Sequence, residues 1–315
     1  MKHQSITIRD PATGAEAEIL VSLGFNCFRF TAQMDDGPCE VLWAADDFSS
    51  GAGRPSGSGI PILFPFPGRI RGARFEYEGR AYSLPEGDGR GNAIHGFALD
   101  RPWQLVEHGP SHAMGVFHGS QVDAALAGHW PADFRLYVEY RLRGNALESR
   151  LKVENPDDRP LPWGLGTHPY FRVPPGGRGE AAACRVTVPA ARYWELAELL
   201  PTGRCPSVAS SHDLRSGRAF ADTQLDDVLT ALDTVDGMTE ARIESAPAGR
   251  RLLVRFDSGF RHAVVYNPPH REAICIEPYT SVPDPFTLAA EGIESNLAVL
   301  APGESVERYW EIRLE

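Results

Sequence analysis

Residues 134–153 read Phe134-Arg135-Leu136-Tyr137-Val138-Glu139-Tyr140-Arg141-Leu142-Arg143-Gly144-Asn145-Ala146-Leu147-Glu148-Ser149-Arg150-Leu151-Lys152-Val153. Phe134, Leu136, Val138, Tyr140 and Leu142 alternate with Arg135, Tyr137, Glu139 and Arg141, a period of two that gives one apolar face and one wet face. Gly144-Asn145 supplies a two-residue turn, and Leu147, Leu151 and Val153 resume the alternation, so the stretch predicts a hairpin. Outward from it the same grammar repeats. Arg74-Phe75-Glu76-Tyr77, a turn at Glu78-Gly79 and Arg80-Ala81-Tyr82-Ser83-Leu84 predict a second hairpin. Further strands are expected at 4–9, 17–21, 25–32, 39–44, 103–107, 114–118, 184–188, 251–256, 262–266, 272–276 and 305–314. Helix signals are few and short, the best at 122–129 and 225–232, each of about two turns. The chain carries 31 Gly and 26 Pro, against a typical combined share of roughly 12%, and no low-complexity tract absorbs them. They punctuate many turns.

These patterns predict an all-β protein, a large antiparallel β-sandwich with a few short helices. Sandwiches commonly exceed 200 residues as one unit. No Pro/Ser/Gly linker splits residues 1–315, so one domain is expected, with the Gly/Ser/Pro-rich stretch 49–59 as an internal loop. Against 31 Lys+Arg stand 42 Asp+Glu, a net charge of −11. That balance argues against a nucleic-acid or anionic-membrane footprint. No apolar run reaches the roughly 18 residues of a bilayer span, and the first residues lack a signal-peptide core. Cys27, Cys39, Cys184, Cys205 and Cys275 are odd in number with no C-x-x-C pair. They read as small buried hydrophobes in a reducing, cytoplasmic compartment.

Walker A, G-x-G-x-x-G, H-E-x-x-H and G-x-S-x-G patterns are missing. His108 and His112 have helical spacing, but Gly109-Pro110 between them forbids a helix and leaves them poor metal ligands. Chemistry concentrates instead in three segments that combine acid/base groups with turn residues. They are Gly91-Asn92-Ala93-Ile94-His95-Gly96-Phe97, Gly164-Leu165-Gly166-Thr167-His168-Pro169-Tyr170-Phe171 and Ala273-Ile274-Cys275-Ile276-Glu277-Pro278-Tyr279. In the third, Pro278 is expected to stop the strand and leave Glu277 at its end, facing a cleft. His168 precedes a proline and therefore takes extended backbone beside two aromatic rings. Taken singly, a histidine beside aromatics is usually structural and a strand-end glutamate is usually just solvated.

Six elements in order resemble the aldose 1-epimerase (galactose mutarotase) family, from about residue 15 to the C-terminus. Gly59-Ile60-Pro61-Ile62-Leu63-Phe64-Pro65-Phe66-Pro67-Gly68-Arg69-Ile70 is similar to the family's G-x-P-x-x-F-P-x-x-N-R-I. Asn92-Ala93-Ile94-His95-Gly96, Thr167-His168-Pro169-Tyr170-Phe171, Leu200-Pro201-Thr202-Gly203, Leu225-Asp226-Asp227-Val228 and Ile276-Glu277-Pro278 follow. The resemblance implies a galactose mutarotase-like supersandwich with a sugar cleft on one sheet. It implies Glu277 as the base for the anomeric hydroxyl, His168 as the acid for the ring oxygen and His95 as its support. Arg69, Asp226, Asn92 and Tyr170 would hold the sugar. No cofactor or metal is called for, since one acid and one base suffice for ring opening. The expected partner is a small aldose, bound by a monomer or homodimer.

Two departures, Gly68 in place of Asn and Tyr279 after Glu277-Pro278, bear on which sugar fits. A hexose-6-phosphate mutarotase would need a basic pocket, for which Arg71 and Arg90 are the candidates. A non-catalytic carbohydrate binder has no use for a matched acid and base.

Overall fold

The computed structural model describes residues 4–315. The 134–153 stretch forms its predicted hairpin: Arg135–Arg143 pairs antiparallel with Ala146–Glu154, and Gly144 adopts φ +59° at the turn. Burial alternates along the first strand and, from Leu147 on, along the second, with Leu136, Val138, Tyr140, Leu147, Leu151 and Val153 enclosed and the charges between them wetter. This hairpin lies within a nine-stranded sheet. Gln104–His108 and His112–His118 precede it; Ser305–Leu314, Arg250–Asp257, Met238–Ser245, Cys184–Thr187 and Arg218–Ala219 follow in spatial order. A four-stranded sheet is built from Ser5–Arg9, Glu16–Leu20, Asn26–Met34 and Gly37–Glu40. The hairpin of Arg74–Tyr77 and Arg80–Ser83 also forms as expected, with Phe75 stacked on Tyr82.

A third, seven-stranded sheet runs through Ala190–Trp194, Asp226–Leu232, His262–Tyr266, Ala273–Tyr279, Gly166–Thr167 and Ile62–Leu63, with Tyr170–Arg172 also paired to Ala273–Tyr279. Its back face, including Leu229, Ala263, Val265, Ile274 and Ile276, joins the same apolar core as the large sheet's inner residues. Its front face carries Val228, Val264 and Tyr279, which pack in a separate cluster. Because side chains alternate along a strand, residues of the opposite parity to the core set must face away from it. That parity puts Glu277 between Ile276 and Pro278 on the front.

Two expectations need correction. Residues 225–232 are not a helix: Asp226–Leu232 is a strand. Leu225, Val228, Leu229 and Leu232 mimic a helical period because this strand is covered on both faces, with Val228 on one and Leu229 on the other. Nor does Pro278 end its strand, which continues to Tyr279. The neighbouring chain breaks between Gly166–Thr167 and Tyr170–Arg172, opposite Ile276–Pro278, so the missing proline N–H falls at an interrupted ladder. Helices among the described residues are short: Gly119–Val122, Leu126–His129 and Pro285–Ala290. The first two overlap the expected 122–129 segment. Among these residues no helix is long and apolar enough to cross a membrane.

Candidate active site

The front of the seven-stranded sheet opens into a cavity of about 770 Å³, its mouth included. Register places the floor. Asp226, Tyr266, Cys275 and Tyr170 form one rank across four strands, and Val228, Val264 and Glu277 form the next. The loop at 49–59 adds Arg54, Ser56 and Gly57 to the wall. The Leu196–Ala197 and Leu200–Pro201 hairpin contributes Leu196 and Leu199.

Arg69 and His95 come from the small pair Arg69–Ile70 and Ala93–Ile94, in which Arg69 sits opposite Ile94. His95 is held in the left-handed region at φ +67°, its N–H donating to the Gly68 carbonyl at 2.8 Å. The Gly68 N–H in turn donates to His95 Nδ1 at 3.3 Å. With Nδ1 an acceptor, the neutral ring carries its proton on Nε2. Gly68 itself is at φ +69°, and a Cβ there would meet the Pro283 ring at 2.6 Å. Glycine at that position is therefore a packing requirement of this chain. Gly96 allows the chain to pass the Phe64 carbonyl, which a Cβ would meet at 2.1 Å.

His168 enters between two short strands, its N–H donating to the Pro61 carbonyl at 3.0 Å. Its ring stacks on Tyr170 at 4.9 Å and meets His95 edge-on at 5.6 Å. Its Nε2 lies 3.5 Å from Glu277 Oε1. The other carboxylate oxygen, Oε2, accepts a hydrogen bond from the Tyr279 hydroxyl at 2.8 Å. Glu277 is 1% exposed. Burial pushes its pKa well above the usual carboxylate value, with Tyr279 pulling the other way. Burial lowers His168 to about 3. His95 falls well below an ordinary histidine, through burial first and then the nearby His168, Arg69 and Arg54. Burial thus disfavours a lone charge on either member of the Glu277–His168 pair. One proton moved across the 3.5 Å between Nε2 and Oε1 interconverts its neutral and ion-paired forms.

Arg69 donates from Nε to Asp88 Oδ2 at 3.1 Å. Burial raises Asp88, but bonds from the Asn92 side chain, the Arg90 and Asn92 N–H groups and Arg69 outweigh it and bring Asp88 down to about 2. Asp226 stands at the mouth, exposed yet walled by protein that raises its pKa, while Arg69 opposes the rise.

Of the seven residues singled out in the sequence, Glu277, His168, His95, Arg69, Asp226 and Tyr170 share this cavity. Asn92 is not on its wall. Its amide donates to Asp88 Oδ2 at 2.8 Å and accepts from the Gly72 N–H at 3.0 Å, so it stands behind Arg69. Trp163 and Phe171 are core residues away from the wall. Arg71, tied to Asp284 at 3.0 Å, and the exposed Arg90 do not line the cavity either. Sequence reasoning gave no place to Tyr266, Arg54, Asp88 or Cys275. Tyr266 and Cys275 had a signal, since each is two residues from another front-face position on its strand. For Arg54 and Asp88, both on loops, no periodicity exists to read.

Comparison with known proteins gives a consistent match. The family model described as Aldose 1-epimerase matches residues 4–313. A galactose mutarotase-like protein from Clostridium acetobutylicum superposes with TM-score 0.88 at 26% identity, covering 99% of this chain and 95% of that one. Galactose 1-epimerase from Lactobacillus acidophilus shares the fold, with TM-score 0.75 at 18% identity and coverage of 100% and 99%. The Escherichia coli protein YphB, named as uncharacterized, is 25% identical over 278 residues, 80% of this chain and 82% of its own length.

Proposed function

The chain belongs to the aldose 1-epimerase family, and from that premise we propose that it is a mutarotase interconverting the α and β anomers of a free aldose such as glucose or galactose. The observation that carries the reading is Glu277 Oε1 facing His168 Nε2 at 3.5 Å on the wall of an open cavity. A hemiacetal presents two adjacent oxygens, one to lose a proton and one to gain it. Glu277 takes the O1 proton; His168, charged by transfer within the pair, gives its Nε2 proton to the ring oxygen. The C1–O5 bond breaks, the aldehyde forms, rotation about C1–C2 exposes the other face, and reversal of the proton steps closes the opposite anomer. Each positioned group is worth about 10²–10⁴-fold, or roughly 3–5 kcal/mol.

His95 donates from Nε2 toward the ring oxygen, and its lowered pKa keeps it a neutral donor rather than a competing acid. Arg69, braced by Asp88, and Asp226 hold hydroxyls, and Tyr170 offers an aromatic edge to the sugar. The arginines that a 6-phosphate would enlist, Arg71 and Arg90, lie off the cavity, which favours a neutral sugar. Arg54 is the wall's second guanidinium, so the phosphate belongs in the test.

Polarimetry of freshly dissolved α-glucose, α-galactose and glucose 6-phosphate is expected to show accelerated relaxation of the neutral sugars. Acceleration of the phosphate alone would replace the reading with a sugar-phosphate mutarotase. Relaxation at the uncatalysed rate for all three would overturn it.

A further inference from the structure

Cys275 is fully buried, two residues before Glu277 on the same face of the same strand. The other buried thiols, Cys27, Cys39 and Cys184, each donate to a main-chain carbonyl, at 3.4, 3.7 and 3.6 Å. Cys275 makes no such bond among the described residues. Instead one ligand atom from each of His168, Cys275 and Glu277 lies within 4.8 Å of the other two. His168 faces Glu277 through Nε2 at 3.5 Å, and the residue is 7% exposed.

We propose that His168, Cys275 and Glu277 form a binding site for a thiophilic divalent cation, Zn²⁺ being the fitting ion, and that occupancy blocks the cavity to sugar. The donor set is sulfur, imidazole nitrogen and carboxylate oxygen, the mixture that selects zinc over magnesium or calcium. For bonds of about 2.0–2.1 Å a tetrahedral ion needs its nitrogen and oxygen donors about 3.4 Å apart, and Nε2 and Oε1 already stand 3.5 Å apart. The sulfur closes the remaining distance with a movement of about an ångström. The fourth position faces the cavity. Zn²⁺ with one thiolate, one carboxylate and a neutral imidazole carries no net charge, which suits a buried site. As the Zn–S bond forms, the Cys275 S–H proton, and any proton held on Glu277, passes to solvent.

Binding of the ion is independent of the mutarotase reading; only the inhibition rests on it. Two measurements on the metal-freed full chain separate them. Titration with Co²⁺ is expected to give a near-ultraviolet thiolate-to-cobalt band in the wild type that Cys275→Ser lacks. In the anomerisation assay, Zn²⁺ is expected to raise the KM for sugar in the wild type, and Cys275→Ser, each protein compared with its own metal-free rate, to need at least tenfold more Zn²⁺ for the same rise. No thiolate band in the wild type, or the same band in Cys275→Ser, overturns the site. A band with equal Zn²⁺ sensitivity in both proteins overturns the inhibitory role. If the chain proves inactive on every sugar, the cobalt titration still decides whether the ion binds.

Discussion

In the nine-stranded sheet the central hairpin keeps Leu136, Val138, Tyr140, Leu151 and Val153 on an enclosed face and its charges on the other. In the seven-stranded sheet Glu277 is also enclosed, at 1% exposed, yet stands on the face that forms the cavity floor. One region gains stability from removing apolar surface from water. The other spends part of that gain to hold a carboxylate and two imidazoles where water cannot solvate them. Burial therefore has two consequences: cohesion in the nine-stranded sheet, and a shifted carboxyl and imidazoles on the front of the seven-stranded one. Substitutions in the two regions should therefore fail in different currencies.

The largest effect belongs to the cavity. Glu277→Gln keeps the shape and removes the proposed base, so turnover should drop by about 10²–10⁴-fold, with sugar affinity by calorimetry largely kept. Strong residual turnover would take Glu277 out of the base role. In the large sheet, Leu151→Ala should cost about 2–5 kcal/mol of stability, read by denaturant unfolding, while kcat of the folded protein stays near wild type. A selective loss of kcat there would erase the distinction between the regions.

Tyr279→Phe is a finer probe. The Tyr279 hydroxyl opposes the upward push of burial on Glu277. Without it the Glu277 pKa rises further, so the carboxylate is lost at a higher pH as the solution is acidified. Infrared titration of the carboxyl band, with Glu277→Gln as blank, should show that upward move, together with a kcat loss of roughly tenfold. An unmoved titration would show that Tyr279 merely fills space. Smallest is Asn92→Ala, which loosens Asp88 behind Arg69 and should raise KM roughly fivefold at unchanged kcat. A fall in kcat with KM fixed would instead tie Asn92 to the chemistry.

The same contrast explains what could be read from the amino acids. Regular alternation made the hairpins at 74–84 and 134–153 legible down to their turns, because one face of each strand is wet. Met238–Ser245 escaped notice: its enclosed positions include Thr239, Ala241 and Ser245, too weakly apolar to mark a period. Asp226–Leu232, covered on both sides, imitated a helix. Glu277, His168 and His95 were suggested by their turn settings and gained roles only through the family resemblance. Nothing local could announce that Asn92 would brace Asp88, or that Cys275 would stand beside Glu277 and His168. Those relations exist only once register aligns separate strands.

The most direct measurement of the central claim is exchange NMR on an equilibrated α/β mixture of glucose or galactose. Cross-peaks between the two anomeric protons report turnover at equilibrium with no net reaction. Wild-type protein should produce them, and Glu277→Gln at equal concentration should not. Equal cross-peaks with both proteins, or none with either, would contradict the assignment of anomer exchange to the Glu277–His168 pair.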